Sequence, residues 1–194
     1  MNWRGGIVFF TLIAAGFTFW GFLQNWSKVY PPAESTPMKK TIEIKITSSA
    51  FGNNTAIPSR FTCDGQDISP PLEISGVPAE AKSLALVMHD PDAPIAGGWT
   101  HWVKFNAPWD MEHGALSIGE GTEPEGTSGK GSGNNLLYQG PCPPSGTHRY
   151  FFKIYALDTI LNLKTGATKT EVEKVMVDHI VGQGELVGLY ARRN

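Results

Sequence analysis

The sequence predicts a mainly β protein, two packed antiparallel sheets with one peripheral helix near the C-terminus, preceded by an N-terminal transmembrane helix. Its 22 glycines and 14 prolines in 194 residues are typical of a protein rich in turns. Residues 84–88 (LALVM) form an uninterrupted apolar run, as expected of a strand covered on both faces. Residues 41–47 (TIEIKIT) alternate between polar and apolar side chains, which indicates a half-buried strand.

Residues 1–27 have the features of a membrane segment. No charged residue occurs between positions 5 and 27, and residues 7–23 are mostly large and apolar. This is close to the ~20 residues that cross a bilayer as a helix. We therefore expect a single-pass membrane protein with its C-terminal domain on the extracytoplasmic, periplasmic side. The alternative is a signal peptide with Ala14 and Gly16 before the cut, which would leave a secreted or periplasmic protein.

The anchor is followed by a linker and then by the folded domain. Residues 28–40 are rich in proline and read as a stiff, exposed linker. Residues 41–194 form the predicted β domain, whose first strand directs Ile42, Ile44 and Ile46 inward. The formal net charge of −2, with no cluster of lysine and arginine, argues against a protein that binds nucleic acid.

Residues 84–105 form the predicted central hairpin. Two prolines that lack N–H groups stop its first strand, which leaves Asp90 and Asp92 at the strand end. A glycine pair then turns the chain back. We expect one face of the returning strand to carry Trp99, His101, Val103 and Phe105. A histidine among bulky apolar residues needs a hydrogen-bond partner, and Asp90 is the expected partner of His101.

The remaining elements follow from local patterns. Residues 60–63 (RFTC), 150–157 and 184–192 are predicted strands, and residues 106–135 are a polar, glycine-rich loop without the strand and helix that a nucleotide-binding loop needs. Residues 170–181 are the predicted helix. Its capping box is Thr170 with Glu173, Gly182 follows its end, and its apolar stripe is Val172, Val175, Met176, His179 and Ile180.

Four short motifs occur in a fixed order along the chain. They are D-P-D-A-P at 90–94, W-T-H-W at 99–102, G-P-C-P-P at 140–144 and H-R-Y at 148–150. Together they resemble the phosphatidylethanolamine-binding protein family, most closely its bacterial and archaeal Raf-kinase-inhibitor-like branch. The similarity extends over about residues 40–193 and includes F-T-C-D-G, S-P-P-L and G-L-Y-A-R. The resemblance implies the family's β fold, a homodimer, and a small pocket that takes an anion such as a phosphate head group.

The resemblance also implies which residues line the pocket. They are Asp90, Trp99, His101, Tyr138, Gly140, Pro144, His148 and Tyr150. Two imidazoles can donate hydrogen bonds to phosphate oxygens, while an aspartate holds the tautomer of one ring. The trio of one aspartate and two histidines also has the composition of a metal site, but the family pocket is not organised around a metal. We therefore expect neither a metal nor a cofactor.

Two further pairs are expected to support the pocket loops. Arg149 is expected to pair with a carboxylate, Asp92 being the candidate, and so to brace the loops. Cys63 and Cys142 lie in loops expected near the pocket. They either form a disulfide or remain two small thiols, because the sequence does not place their Cβ atoms.

These residues predict non-catalytic binding of an anionic or phosphorylated small group, such as a phospholipid head group, and not an enzyme. The first alternative is a protein-interaction module that inhibits a kinase or a protease. The second is a weak hydrolase, since aspartate and histidine are two members of a catalytic triad and Ser145 or Cys142 would be its nucleophile. Ser145 lacks the sequence context of a nucleophile elbow. A further alternative is that these residues form a polar cluster that only holds the loops together.

Overall fold

A computed structural model describes residues 41–192. The strands, in chain order, are β1 (Ile42–Glu43), β2 (Lys45–Thr47), β3 (Thr55–Ala56), β4 (Leu72–Ser75), β5 (Ser83–Asp90), β6 (Trp99–Ala107), β7 (Ala115–Ile118), β8 (Thr127–Ser128), β9 (His148–Leu157) and β10 (Ile180–Tyr190). The α-helix in this part of the chain, α1, spans Lys169–Met176 and precedes β10. The predicted mainly β fold with a short helix near the C-terminus is confirmed.

The strands form two sheets. The larger one has the order β1-β10-β9-β5-β6-β8, with β3 also paired to β10, and the smaller one has the order β2-β4-β7. Most neighbours are antiparallel, as predicted, but β1 and β3 both pair with β10 in parallel. The larger sheet is therefore mixed at one edge, because two short segments from early in the chain add to the last strand.

The predicted first strand is divided between the two sheets. β1 pairs with β10 in the larger sheet, whereas β2 pairs with β4 in the smaller one. At the crossing point the Ile44 N–H donates to the Gln183 carbonyl over 2.8 Å. Ile44 and Ile46 are buried as predicted, whereas Ile42 is 39% exposed, so its predicted inward position is wrong. Alternation identifies the faces of one strand but not a change of sheet within it.

Two apolar clusters cover the two faces of β5. Leu84, Leu86 and Met88 belong to the cluster between the sheets, and Ala85 to the cluster beneath α1. The second cluster comprises Ala85, Val103, Phe105, Leu157, Leu161, Val172 and Met176. The uninterrupted apolar run of β5 thus reflects burial on both faces, as predicted.

Three predicted local elements are corrected. Residues 60–63 are not a strand, because Ser59–Phe61 form a 3₁₀ turn. The helix is shorter than predicted and is capped by Thr168 with Glu171, in place of Thr170 with Glu173. After a 3₁₀ turn at residues 177–179, the ladder between β10 and β9 begins at Ile180, so Gly182 lies inside a strand. Pairing with β9 therefore replaces the last predicted helical turn.

The predicted location also needs correction. Within residues 41–192, none of the helices has the length and apolar character that crossing a bilayer requires. The predicted anchor, residues 1–27, and the linker, residues 28–40, lie outside the described residues. The prediction of a single-pass membrane protein is contradicted by the relatives described below.

Candidate ligand-binding site

A pocket of about 280 Å³ lies where the end of β5 meets the starts of β6 and β9. Residues 93–95 and the loop of residues 139–144 form its remaining walls. Its lining residues are Asp90, Ala93, Pro94, Ile95, Trp99, His101, Gln139, Gly140, Cys142, Pro143, Pro144, His148 and Tyr150. Seven of the eight residues predicted as ligand-binding are in this set, and Tyr138 is not.

Asp90 is the last residue of β5 and only 3% exposed. Its Oδ1 accepts the backbone N–H groups of Asp92 and Ala93 over 2.8 and 3.1 Å. Its Oδ2 lies 2.7 Å from Nδ1 of His148, which donates to it. Both carboxylate oxygens therefore have partners within the protein, and Asp90 positions the ring of His148. The predicted pairing of Asp90 with His101 is wrong.

His101 is placed in the pocket by an irregularity in β6. Met88 pairs with Trp102 but the next residue, His89, pairs with Thr100, so His101 is an extra residue in the ladder. Such a β-bulge re-aims side chains. The predicted shared face is therefore interrupted: Val103 and Phe105 pack beneath α1, whereas the His101 ring lies edge-on to that of Tyr150 at 5.2 Å.

The ring nitrogens of His101 have different environments. Nδ1 donates to the Gln139 carbonyl over 2.8 Å, which places the ring proton on Nδ1 because a carbonyl can only accept. Nε2 is buried and has no hydrogen-bond partner among the described residues. Burial of the ring, which is 4% exposed, lowers the pKa of His101 below its ordinary value. The neutral ring thus presents an acceptor at Nε2.

Two aromatic residues complete the polar side of the pocket. Tyr150 is fully buried, and its hydroxyl has no partner among residues 41–192. Burial, and then the nearby carboxylate of Asp90, raise the pKa of Tyr150, so its hydroxyl keeps its proton and can donate. The indole Nε1 of Trp99 donates to the side-chain oxygen of Gln139 over 3.2 Å. Gln139 thus anchors both Trp99 and His101.

The proline-rich wall is held from behind by residues 61–67. Cys142 forms a disulfide with Cys63, with the two Cα atoms 5.4 Å apart. The Cys63 N–H donates to the Pro141 carbonyl over 3.1 Å, and the Gly140 N–H to Oδ1 of Asp67 over 2.7 Å. A Cβ atom on Gly140 would lie 2.6 Å from the Phe61 carbonyl oxygen, so only glycine fits this approach.

An exposed ion pair borders the pocket. Asp92 accepts from the backbone N–H of Arg149 over 2.9 Å and from its guanidinium over 2.8 and 2.6 Å. These hydrogen bonds from Arg149 lower the pKa of Asp92 to about 2. The pair joins the loop after β5 to the start of β9, and neither residue lines the pocket.

Tyr138 lies away from the pocket. Its hydroxyl donates to the Phe61 carbonyl over 2.7 Å, and its ring meets Trp102 edge-on at 5.4 Å. Sequence reasoning overlooked Gln139, which acts largely through a backbone carbonyl that any residue would supply. It also overlooked the apolar wall of Ala93, Pro94, Ile95 and Pro143, although the prolines beside Asp90 are a visible signal. Among the described residues, no three His, Cys, Asp or Glu side chains are grouped to hold a metal ion.

Comparison with known proteins gives a consistent result. A family model described as phosphatidylethanolamine-binding protein matches residues 47–191. A UPF0098 protein of Methanothermobacter thermautotrophicus is 50% identical over 151 residues, which cover 77% of this chain and 99% of that protein. A UPF0098 protein of Pyrococcus horikoshii is 48% identical over 151 residues, 75% of this chain and 76% of the relative.

Solved structures have the same fold. A crystal structure of a phosphatidylethanolamine-binding protein homologue from Chlamydia trachomatis superposes with a TM-score of 0.71 at 38% identity, covering 79% of this chain and 100% of that one. YbcL of Escherichia coli, described as a new member of the mammalian family, gives a TM-score of 0.71 at 26% identity, covering 78% and 99%. Both similarities extend over nearly the whole length of the solved chains.

Proposed function

We infer that this chain, which belongs to the phosphatidylethanolamine-binding protein family, binds the anionic group of a small phosphorylated molecule or phospholipid head group in this pocket. The binding is non-catalytic. One observation carries the proposal: the buried His101 Nε2 and Tyr150 hydroxyl lack partners among residues 41–192, although both residues line the pocket. Since buried polar groups nearly always have hydrogen-bond partners, a polar ligand is the missing partner.

The surroundings of these two atoms suit an anion with a carbon substituent. His148 donates its Nδ1–H to Asp90, so its Nε2 is the ring nitrogen left to meet the ligand. Asp90 thereby fixes the orientation of this ring beside the two atoms that lack partners. Trp99, Ile95 and Pro144 then supply an apolar wall for the rest of the molecule.

The hydrolase alternative has less support from the pocket. Asp90 and His148 form the acid–base half of a triad, but the lining residues from the described part of the chain include no serine, threonine or free cysteine. Ser145 is exposed and not among the lining residues. Cys142 lines the pocket but is bonded to Cys63, so its sulfur is not a nucleophile. Binding without turnover is therefore the function that the residues lining the pocket support.

The test is a titration of the full-length chain with inorganic phosphate, phosphoethanolamine and phosphatidylethanolamine vesicles, followed by NMR of the histidine rings. We expect saturable shifts of the His101 and His148 signals. His113 is an internal control, since it lies on an exposed turn outside the pocket. Matched variants are His148→Ala, which should lose binding, and His113→Ala, which should keep it.

Each outcome assigns the function differently. If none of the three ligands shifts the ring signals of His101 or His148, the binding proposal is rejected. If a partner protein is then retained by His101→Ala/His148→Ala as well as by the unaltered chain, the protein-interaction alternative takes its place. Release of inorganic phosphate from phosphoethanolamine that disappears with His148→Ala would instead establish the hydrolase.

A further inference from the structure

We propose that the side chain of Gln139 determines which anionic ligands this pocket prefers, because it holds the indole ring of Trp99 as the surface that contacts a ligand's organic substituent. This specificity rests on the proposed function, namely that the pocket binds an anion. Gln139 acts through Trp99 and is therefore a positioning residue. The part of the ligand that it selects is the carbon chain attached to the anionic group.

The pocket has no free carboxylate, lysine or arginine with which to recognise a substituent. Asp90 is the single carboxylate among the lining residues in the described part of the chain. Its Oδ1 accepts two backbone N–H groups, and its Oδ2 accepts from His148. A substituent is therefore recognised through the apolar surface that it covers, and Trp99 is the largest lining side chain.

Trp99 lies where the pocket meets solvent. It is the first residue of β6, follows Gly98 with its φ of +72°, and is half-buried. A large ring in such a position changes rotamer unless a contact fixes it, and ordering the ring on binding weakens affinity. A ring that is fixed before the ligand arrives avoids this loss of affinity.

The side chain of Gln139 supplies the contact that fixes the ring. Its Oε1 accepts from Nε1 of Trp99 over 3.2 Å, and Nε1 is the only polar atom of a tryptophan side chain. The amide end of Gln139 lies against Gly133, where an added Cβ would be 2.9 Å from Oε1 and 3.4 Å from Nε2. Glycine at position 133 therefore leaves the room that this amide needs.

The backbone of Gln139 is itself fixed. Its N–H donates to the His101 carbonyl over 3.2 Å, and its carbonyl accepts from Nδ1 of His101 over 2.8 Å. The N–H of the next residue, Gly140, donates to Oδ1 of Asp67 over 2.7 Å. The ring of Trp99 is thus tied to the same residue that orients His101, so the surface for the substituent and the site for the anion keep a fixed relative position.

The experiment is calorimetric titration of the full-length chain with inorganic phosphate, ethyl phosphate and butyl phosphate at one pH. In the unaltered chain we expect the affinity to rise about twofold for each CH₂ added from ethyl to butyl phosphate, which is about half the free-energy gain of full burial because Trp99 borders solvent. Gln139→Met removes the acceptor at similar side-chain size. It should lower the butyl-to-ethyl affinity ratio from about fourfold to below about twofold, because a mobile ring offers the longer chain no fixed surface.

Three further variants show whether Gln139 acts through Trp99. Gln66→Met is the matched control, since Gln66 accepts from exposed Arg60 and does not line the pocket, and it should keep the ratio. Gln139→Glu retains an acceptor for the indole and should also keep the ratio, although its charge weakens binding of every phosphate. Trp99→Phe removes the indole N–H, so adding Gln139→Met to it should lower the ratio no further.

A spectroscopic measurement checks the hydrogen bond itself. The indole N–H signal of Trp99 in NMR spectra should shift in Gln139→Met and stay in place in Gln66→Met. A merely structural role of Gln139 would leave this signal and the affinity ratio unchanged while lowering stability.

The outcomes separate this specificity from the proposed function. If none of the three phosphates binds to the unaltered chain, the anion site itself is rejected. If they bind but the butyl-to-ethyl ratio survives Gln139→Met, or falls equally in Gln66→Met, the anion site stands and the role of Gln139 is overturned. An unaltered chain whose affinity does not rise from ethyl to butyl phosphate overturns it as well, so the test stays decisive even if a variant fails to fold.

Discussion

Two aspartate–histidine pairs in this molecule have nearly the same local geometry. In the pocket, Oδ2 of Asp90 lies 2.7 Å from Nδ1 of His148, and in the turn before β7, Oδ2 of Asp110 lies 2.7 Å from Nδ1 of His113. In both, Oδ1 of the aspartate accepts two backbone N–H groups from the second and third residues that follow. The same turn chemistry is thus used twice.

The two pairs differ in burial and in the origin of the histidine. The side chains of His148 and Asp90 are 9% and 4% exposed, those of His113 and Asp110 69% and 53%. His148 comes from 58 residues further along the chain, whereas His113 comes from 3 residues further. Water competes for the exposed pair and is largely excluded from the buried one. Equal distances therefore do not imply equal roles, and burial decides which pair can serve a binding site.

The largest difference is expected from removing each aspartate. Asp90→Ala leaves His148 and two backbone N–H groups without their buried acceptor, and should lower the free energy of unfolding by about 3–5 kcal/mol. Asp110→Ala removes the same contacts at the surface, where water replaces them, and should change little. Urea denaturation of both variants checks this. Equal losses of stability would remove burial as the distinction between the pairs.

The second prediction concerns how His148 reaches Asp90. The loop that delivers it is tied by the exposed disulfide between Cys63 and Cys142, whereas His113 needs no tie beyond its own turn. Cys63→Ser/Cys142→Ser should cost about 2–4 kcal/mol of stability. It should also shift the ring signals of His148 more than those of His113 in NMR spectra. Equal ring shifts, or an unchanged denaturation midpoint, would contradict it.

A glycine near each pair is required for a different reason. Gly140 in the pocket wall is restricted by its neighbours, since an added Cβ would lie 2.6 Å from the Phe61 carbonyl oxygen. Gly114 in the surface turn is restricted by its own backbone, with φ +62°, while the nearest atom to its Cβ is 3.5 Å away. Gly140→Ala should cost about 1–3 kcal/mol and weaken anion binding.

Gly114→Ala is the matched control for this prediction. It should cost about 1 kcal/mol, the penalty of a left-handed alanine, and leave binding intact. Denaturation and phosphate titration of both variants measure the two effects. Loss of binding in Gly114→Ala would show that the surface turn and the pocket are coupled.

The smallest predicted effect is in the titration of the exposed pair. Hydrogen bonds from the His113 ring and backbone hold the pKa of Asp110 below its ordinary value of 3.8. The resulting stabilisation is present above that value and is lost as the pH falls through the lowered pKa. His113→Ala should return the pKa towards 3.8, measured by carboxyl NMR. A pKa that does not move would show that the backbone N–H groups alone set it.

Local patterns predicted those parts of the fold that depend on neighbours in the chain. The apolar run of β5, the alternation of Ile44 with Ile46, and a helix before the last strand are present. The residues at which those elements begin and end were less predictable. The capping box lies two residues earlier than predicted, at Thr168 and Glu171, because two overlapping sequences each have the required spacing.

The candidate site could be predicted as a set of residues, but only some of its contacts could be. The ion pair of Asp92 with Arg149 was predicted, and the disulfide was one of two alternatives, whereas the hydrogen bonds of the histidines were not predicted. Period-2 alternation assumes an unbroken ladder, so it cannot foresee the bulge that turns His101 into the pocket. Proximity in sequence favoured His101 as the partner of Asp90, but the β5–β9 ladder brings His148 to it instead. No pattern in the sequence marks the role of Gln139 in holding His101, because that role depends on a backbone carbonyl that any residue would supply.

Composition and periodicity predicted the class of fold, whereas the family and most residues of the pocket were implied by the resemblance that the short motifs carry. Tertiary structure alone decided which aspartate meets which histidine, which ring nitrogen of His101 lacks a partner, and which glycine admits no side chain. The physical reason is that hydrogen bonds and close contacts are fixed by distances between segments far apart in the chain. Burial then sets how much each contact contributes to stability and to binding.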